Sequence, residues 1–288
     1  MSKKTHQQQL AQRKRQRQAE RDAERRRQRK NLAISVTAIA AVVVVVVGVF
    51  VVFGVPGGDS SPAAAPTELP SSAGPDNKPA SIPTALAAPL KRATPLPAEV
   101  SCAYKKSTEP ASKPVKAPAD GKTKASGTSK VSLNTSIGDL QLTLNSAVAP
   151  CTVKNFLSLV GQKFYDNTKC HRLTVGEGLQ VLQCGDPSGT GGGGPGYSFA
   201  DEVYPTLKYG RGVIAMANAG ANTNGSQFFI VYGDASALGP QYTAFGTIDE
   251  AGLKLVDKVA RAGVTPQSGP GDGAPITPVE IKTATAAA

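Results

Sequence analysis

The sequence contains no tryptophan, two histidines and four cysteines among 288 residues, and only 5% of its residues are aromatic. Glycine (30) and proline (22) are frequent by contrast, and this composition argues against a helical bundle. The C-terminal half contains one histidine, His171, which cannot by itself build a zinc site or complete a Ser-His-Asp triad. We therefore expect neither a metal nor another cofactor.

Acidic residues are scarce in the first 31 positions, which contain 12 Lys or Arg and only three Asp or Glu. The net charge is +9 over residues 1–31, +3 over 56–129 and −1 over 130–288. A neutral C-terminal half excludes a basic groove along a folded domain, and we expect no nucleic-acid partner. The alternative, that the basic head binds nucleic acid, predicts salt-dependent binding by residues 1–31 alone.

No charged residue occurs over residues 32–55, a run of 24 that includes six consecutive valines. About 20 apolar residues cross a bilayer core, so we predict a single transmembrane helix here. The basic head before it marks the cytoplasmic side and can contact anionic lipid. The chain is thus expected in the cell membrane, with everything after Val55 outside. A cleaved signal peptide, cut near Ala63–Ala65, is the alternative.

Large apolar side chains are rare over residues 56–129, which are dense in Pro, Ala, Ser and Lys. Such a segment cannot bury enough surface to offset its ordering entropy, and we predict a disordered extracytoplasmic linker. The surroundings of Cys102 and Tyr104 are a potential exception that packs on the following domain. Outside the membrane the cysteines can form disulfides in three pairings, and buried free thiols are the alternative: Cys102, Cys151, Cys170 and Cys184.

Residues 130–288 are the one block with the apolar patterning of a folded domain. Alternating residues on both sides of Ser136–Asp139 predict a β-hairpin, and Pro150 and Gly161 delimit a helix. A second helix is predicted at Ala251–Ala262. Further strands are predicted at Leu179–Gln183, Gly212–Ala217, Gln227–Tyr232, Thr243–Ile248 and Ile276–Thr283. Many short strands with two helices indicate a mainly β protein, a closed antiparallel barrel with helical plugs.

Three motifs of this block occur together: Cys-His-Arg-Leu at Cys170–Leu173, Val-Leu-Gln-Cys-Gly-Asp at Val181–Asp186, and the segment Met216–Ile230. With them, the chain from Val131 to Ile281 closely resembles the cyclophilin family of peptidyl-prolyl cis-trans isomerases. The basic head, the apolar run and the Leu-Gln-Cys-Gly-Asp-Pro string are further similar to membrane-anchored cyclophilin-like proteins of actinobacteria. The resemblance implies an eight-stranded closed barrel capped by two helices.

The same resemblance implies isomerisation of X-Pro bonds in proline-containing polypeptides during extracytoplasmic folding, with no cofactor. It assigns three catalytic positions, Arg172, Gln183 and Phe229. It assigns His171 no catalytic role, and we interpret that residue as structural. The implied substrate-binding positions are Val181, Ala217, Asn218, Ala219, Gln227, Leu238 and Tyr242.

Three residues depart from the family pattern near the implied proline pocket. Gln180 stands where an aromatic residue is usual, beside a small insertion around Gly176–Gly178. Ala237 stands where tryptophan is common, and Tyr242 stands where histidine is common. Cyclosporin-like ligands are accordingly expected to bind weakly. The alternative function is a membrane-tethered module that binds proline peptides, or acts as a chaperone, with weak turnover.

Overall fold

The computed structural model describes residues 77–287, which are mainly β with two helices, α1 (Pro150–Gly161) and α2 (Glu250–Ala262). The strands of this part of the chain are β1 (Glu99–Cys102), β2 (Tyr104–Lys106), β3 (Gly121–Lys124), β4 (Thr128–Thr135), β5 (Gly138–Asn145), β6 (Thr168–Lys169), β7 (Arg172–Thr174), β8 (Val181–Cys184), β9 (Tyr197–Phe199), β10 (Val213–Met216), β11 (Phe228–Val231), β12 (Ala244–Ile248), β13 (Val264–Gly269), β14 (Asp272–Pro275) and β15 (Glu280–Ala286).

Eleven strands form one antiparallel sheet in the order β13-β14-β7-β8-β11-β10-β12-β5-β4-β15-β6. Only Cys170 and His171 separate the end strand β6 from β7, so the sheet must curve back toward its other end. The prediction of a closed eight-stranded barrel is wrong, because the sheet has eleven strands and two end strands. Within residues 77–287 the strand order is open, because β6 is two residues long and the β13–β14 hairpin extends the opposite edge.

The hairpin predicted around Ser136–Asp139 is confirmed as β4 and β5, which pair from Thr128 with Asn145 to Thr135 with Gly138. Alternate side chains of both strands are buried, as their period-2 pattern requires. Gly138 has a positive φ of 118°, a turn conformation that side chains rarely adopt.

Helix α1 begins at Pro150 and ends at Gly161, as predicted. Pro150 suits the first turn, where a backbone N–H has no partner within the helix. Phe156 is fully buried and packs against three aromatic rings whose centroids lie 4.9 to 5.3 Å from its own. The first turn is capped from a distant segment, because the carboxylate of Glu202 accepts the N–H groups of Cys151 and Thr152 at 2.9 and 2.8 Å.

The predicted strands that correspond to β8, β10, β11 and β12 and the second helix are confirmed within a few residues, whereas β9 was not predicted and the closing strand is misplaced. It begins at Glu280 rather than at Ile276, whose side chain is 53% exposed. Before it lie β13 and β14, which no sequence pattern predicted. Helix α2 is capped by Asp249, which accepts the N–H of Gly252 at 2.8 Å.

The prediction of a disordered linker over residues 56–129 is wrong for residues 77–127, which we call the N-terminal extension. Its strands β1 and β3 pair with each other, and β2 pairs with β9 of the following domain. Cys102 and Tyr104 are buried, as the noted exception anticipated, and Cys102 forms a disulfide with Cys151. Few apolar residues suffice here because the extension uses the core of the domain instead of building its own.

Arg92 shows how the extension is fixed to the domain. Its guanidinium donates hydrogen bonds to the backbone carbonyls of Val148 at 2.9 Å and Glu202 at 2.7 Å. The same group lies 4.9 Å from the centroid of the Tyr204 ring, within the range of a cation–π contact. The extension is therefore attached by charge-assisted bonds as well as by burial.

The predicted basic head (1–31), transmembrane helix (32–55) and first part of the linker (56–76) lie outside the described residues. Over residues 77–287, neither helix is both long enough and apolar enough to cross a bilayer.

Candidate functional site

Three of the predicted site residues form one row across neighbouring strands. Arg172 of β7 pairs with Gln183 of β8, and Gln183 pairs with Phe229 of β11. Residues directly opposite each other project to the same face of a sheet. Leu173 and Leu182, the next pair, are fully buried, so the row containing Arg172 faces away from the main core.

A chain of side-chain hydrogen bonds links this row to its neighbour Gln227. The Arg172 Nη1 donates to Gln183 Oε1 at 3.1 Å, and Gln183 Nε2 donates to Gln227 Oε1 at 2.9 Å. Gln227 Nε2 in turn donates to the carbonyls of Gly191 and Gly193, both at 2.9 Å. Each amide is thereby held in one orientation, which presets the polar side of the site.

Asp272 of β14 holds the guanidinium of Arg172, and no sequence pattern pointed to this residue. Arg172 Nε and Nη2 donate to the two carboxylate oxygens of Asp272, each at 2.7 Å. The hydrogen bond to Asp272 raises the pKa of Arg172, although burial opposes the shift. The bonds to Asp272 and Gln183 engage three of the five guanidinium N–H donors, and among residues 77–287 two are left for a ligand.

The predicted apolar pocket residues belong to a second apolar cluster, separate from the main core. Val181 and Phe229 are almost fully buried, and Leu238 and Tyr242 are half-buried beside them. The rings of Phe229 and Tyr242 meet edge to face with centroids 5.6 Å apart. Sequence reasoning missed Tyr209, whose hydroxyl donates to the Tyr242 carbonyl at 2.7 Å and accepts its N–H at 2.8 Å, fixing that ring's position.

The predicted main-chain binding segment, Ala217–Ala219, follows directly after β10. The N–H of Ala217 donates to the carbonyl of Gln227 at 2.9 Å, and that of Ala219 to Thr223 Oγ1 at 2.8 Å. The Asn218 side chain is tied to the Gln241 carbonyl at 2.9 Å. These bonds hold the backbone of Asn218 rigidly along the edge of the site.

A cleft of about 540 Å³ lies beside this segment. Gln183, Gln227 and Ala217–Ala219 form one side of it, and the glycine loop, Gly191–Gly196, forms another. A third side is Ser107–Pro110 of the N-terminal extension, which the sequence placed in a linker. The structure thus brings together the predicted polar site residues with a segment that was not predicted to be near them.

The glycine loop is arranged around the carboxylate of Asp186. One oxygen of Asp186 accepts the N–H groups of Gly191 and Gly193 at 2.7 and 3.0 Å, and the other accepts the N–H of Ser188 at 2.7 Å. Burial alone would raise the pKa of Asp186, but the bonds from Ser188 and the glycine N–H groups lower it. The backbone N–H groups of this loop are therefore bound by a carboxylate of the protein itself, which holds the loop in one conformation.

Gln180, which departs from the family pattern, is buried and binds the backbone of the N-terminal extension. Its Nε2 donates to the Ser81 carbonyl at 2.8 Å, and its Oε1 accepts the N–H of Asp234 at 2.8 Å. Gly178, in the small insertion before it, donates its N–H to the Asp234 carboxylate at 3.0 Å. The residue that replaces the usual aromatic therefore holds residue 81 of the extension.

A second disulfide, Cys170–Cys184, flanks the row that contains Arg172 and Gln183. It joins Cys170, two residues before β7, to Cys184, the last residue of β8, and so restrains the two strands that carry these side chains. His171 lies between Cys170 and Arg172, and burial lowers its pKa, with a smaller opposing effect from Asp186. In residues 77–287, no three His, Cys, Asp or Glu side chains are grouped as metal ligands.

Known proteins similar to this chain are peptidyl-prolyl cis-trans isomerases. A family model described as cyclophilin type peptidyl-prolyl cis-trans isomerase/CLD matches residues 130–286. The probable peptidyl-prolyl cis-trans isomerase B of Mycobacterium leprae (strain TN) is 51% identical over 197 residues, covering 64% of this chain and 65% of that protein. The protein of the same name from Mycobacterium tuberculosis (strain ATCC 25618 / H37Rv) is 50% identical over 195 residues, covering 63% and 62%.

The chain therefore spans slightly less than two thirds of the length of these relatives. Their matches are longer than the match to the family model and include part of the N-terminal extension. A crystal structure of a Cryptosporidium parvum cyclophilin type peptidyl-prolyl cis-trans isomerase is 36% identical, with a TM-score of 0.49, covering 56% of this chain and 99% of that chain.

Proposed function

The chain belongs to the cyclophilin type peptidyl-prolyl cis-trans isomerase family, and from this we propose that it accelerates the isomerisation of X-Pro bonds in proline-containing polypeptides. The observation that carries the proposal is the row of Arg172, Gln183 and Phe229 on one face. It places the backbones of Arg172 and Phe229 two strand spacings, about 10 Å, apart, with a held cation and an apolar ring on the same face. A prolyl residue with its ring against Phe229 would reach Arg172 with its nitrogen.

The reaction requires the loss of amide resonance and no covalent step. Rotation about a peptide bond is opposed by about 18–20 kcal/mol, and X-Pro bonds interconvert in tens of seconds. A hydrogen bond from Arg172 to the prolyl nitrogen favours the pyramidal, deconjugated form of that nitrogen. Arginine suits this role because its guanidinium stays charged and its donors form a rigid fork.

The other residues hold the two ends of the rotating bond. The apolar pocket around Phe229 takes the proline ring, while Gln183 and the backbone of Asn218 take the preceding residue. Isomerisation in milliseconds instead of tens of seconds corresponds to about 5–6 kcal/mol of preference for the transition state. One preset charged donor in a shaped, largely dry pocket can contribute much of this preference.

The test is a protease-coupled isomerisation assay on an X-Pro peptide, comparing the wild type with Arg172→Ala. Because the variant lacks the donor that acts on the twisted bond, we expect kcat/KM to fall about 100-fold or more. Peptide affinity, measured by fluorescence anisotropy, should change much less. Arg261→Ala, which removes an exposed arginine at the end of α2, is the control and should retain activity.

The same assay separates the alternative function, a tethered module that binds proline peptides or acts as a chaperone. Equal rates with and without the wild-type protein, together with measurable peptide binding, would favour the module. Exposed Ala237 stands where the family commonly has tryptophan, so this position offers a large cyclic ligand no aromatic surface, which supports weak binding of cyclosporin-like compounds.

For location, we propose an actinobacterial-type membrane anchor at residues 32–55, a cytoplasmic head that contacts anionic lipid, and an isomerase domain outside the membrane. The charge distribution of the sequence supports this orientation. The disulfides Cys102–Cys151 and Cys170–Cys184 support it independently, because such bonds persist mainly in oxidising compartments. Protease added to intact cells whose outer envelope is permeabilised should degrade the domain and spare an epitope on the head.

A further inference from the structure

Residues Ser107–Pro110 of the extension form one wall of the cleft beside the row of Arg172, Gln183 and Phe229. This wall is held at both of its ends. Before it, β2 pairs with β9, and Ser107 donates its N–H to the Gly196 carbonyl at 3.0 Å. After it, Ser112 donates its N–H to the Gly194 carbonyl at 2.9 Å and accepts the Gly194 N–H at 3.0 Å. Residues 108–111 therefore form a short loop whose two ends lie on neighbouring parts of the glycine loop.

The glycine loop has the shape that this contact requires. A Cβ at Gly196 would lie 2.8 Å from the backbone nitrogen of Ala111, and one at Gly193 would overlap both the Asp186 carboxylate and Ser112 Oγ. Lys113, the next residue of the extension, donates its ammonium group to the carbonyls of Lys163 and Asp166 at 2.6 and 2.9 Å. The wall is thus a built feature of the fold rather than a loose strand of linker.

The charge of the wall is distinctive. Among residues 77–287, Glu109 is the only one with a charged side chain that lines the cleft. Its side chain is exposed, and Lys105 and Lys106, which precede it, do not line this cleft. The rest of the described lining is uncharged and consists of glycines, two prolines, one tyrosine, small apolar and polar side chains, and the amides of Gln183, Asn218 and Gln227. A cationic side chain in the cleft would therefore meet one carboxylate and no competing cation of the lining.

We propose that Glu109 makes this cleft a subsite for a basic side chain, so that the protein prefers substrates with Lys or Arg one or two positions before the X-Pro pair. This inference rests on the proposed function, since that function places the preceding substrate residues along Ala217–Ala219. Those residues and Glu109 line the same cleft, so a substrate bound along them would place the side chain before the X-Pro pair in the cleft that Glu109 lines. The extension then sets specificity while the row containing Arg172 acts on the bond.

The test compares kcat/KM for matched peptides that carry Lys, Ala or Glu at the second position before proline. For the wild type we expect Lys to be favoured over Glu about two- to fivefold at low salt, the range of an exposed ion pair. Glu109→Gln should bring this ratio close to one, and Glu109→Lys should invert it. At 1 M salt, where charges are screened beyond about 3 Å, the wild-type ratio should also approach one.

Glu99→Gln is the matched control, because Glu99 is an exposed carboxylate of the extension that pairs with Lys122 away from the cleft. It should keep the wild-type ratio. A ratio that is the same in the wild type and both Glu109 variants overturns the inference, even if all three isomerise the Ala peptide. If no peptide is isomerised, the proposed function fails, and anisotropy binding of the Lys and Glu peptides still decides the subsite.

Discussion

At the scale of single residues, the candidate site depends on a partner that holds its cation still. Arg172 is bound at two nitrogens by Asp272 and at a third by Gln183. A free arginine would have to lose side-chain entropy each time a substrate bound, whereas this one is ordered in advance. Asp272 is therefore a positioning residue that acts through Arg172.

Asp272→Asn should lower kcat more than it changes KM. Asparagine offers one carbonyl oxygen and turns an NH₂ group toward the guanidinium, so the two-point bond becomes a weaker single bond. We expect kcat/KM to fall about tenfold, which corresponds to roughly 1.4 kcal/mol. The check is steady-state kinetics alongside urea unfolding.

The control is Asp139→Asn. Asp139 is an exposed carboxylate that accepts a hydrogen bond from Asn134 next to the β4–β5 turn, and its change should leave kcat and KM unaltered. If Asp272→Asn lowered stability and left kcat unchanged, Asp272 would be a structural residue only.

The residues of the site differ in how far the sequence could reveal them. Arg172, Gln183 and Gln227 stand in motifs, and the structure brings them within one hydrogen-bonded chain. Asp272 lies 100 positions from Arg172 in a Gly- and Pro-rich segment that carries no periodic pattern. A pairing over that distance is set by the sheet order, which local patterns do not contain.

At the scale of elements, the hairpin β4–β5 and helix α1 were predictable because each buries one regular face. Strands β13 and β14 were not predictable, since each contains one proline and one glycine and their register shifts between Pro266 and Gly269. The extension was missed for a different reason. Its apolar residues are spaced for contact with the domain and have no period of their own.

The carboxylate of Asp186 holds the glycine loop, and this predicts the direction in which the stability of the fold changes with pH. Because its hydrogen bonds lower the pKa of Asp186 in the folded protein, this group contributes stability above its unfolded pKa, near 3.9. That contribution is lost as the pH falls through the folded value. Asp186→Asn should therefore be less stable than the wild type at pH 7, with a difference that shrinks toward pH 3.

Urea midpoints measured from pH 7 to pH 3 would show this convergence. Glu250→Gln, which changes an exposed carboxylate in the first turn of α2, is the matched control and should not reproduce it. A difference between the wild type and Asp186→Asn that stays constant over the whole range would contradict the role assigned to the carboxylate.

At the scale of the folded unit, the extension and the domain behave as one body because several unlike contacts join them. The Cys102–Cys151 disulfide links positions 49 residues apart, Arg92 bonds carbonyls of the domain, and Gln180 holds Ser81. The wall that carries Glu109 lies between the disulfide and Lys113. Its position in the cleft thus depends on contacts distributed along the whole extension.

Removing the disulfide tests this coupling. Closing a loop of about 50 residues stabilises a fold by up to about 4 kcal/mol through the entropy of the unfolded chain. We expect the double variant Cys102→Ala, Cys151→Ala to lose about 2–4 kcal/mol of unfolding free energy. It should also weaken the preference for Lys over Glu peptides, because the wall near Glu109 loses its nearest covalent anchor, and reduction of the wild type should weaken it in the same way. An unchanged peptide preference would mean that the bonds of Ser107, Ser112 and Lys113 hold the wall without the disulfide.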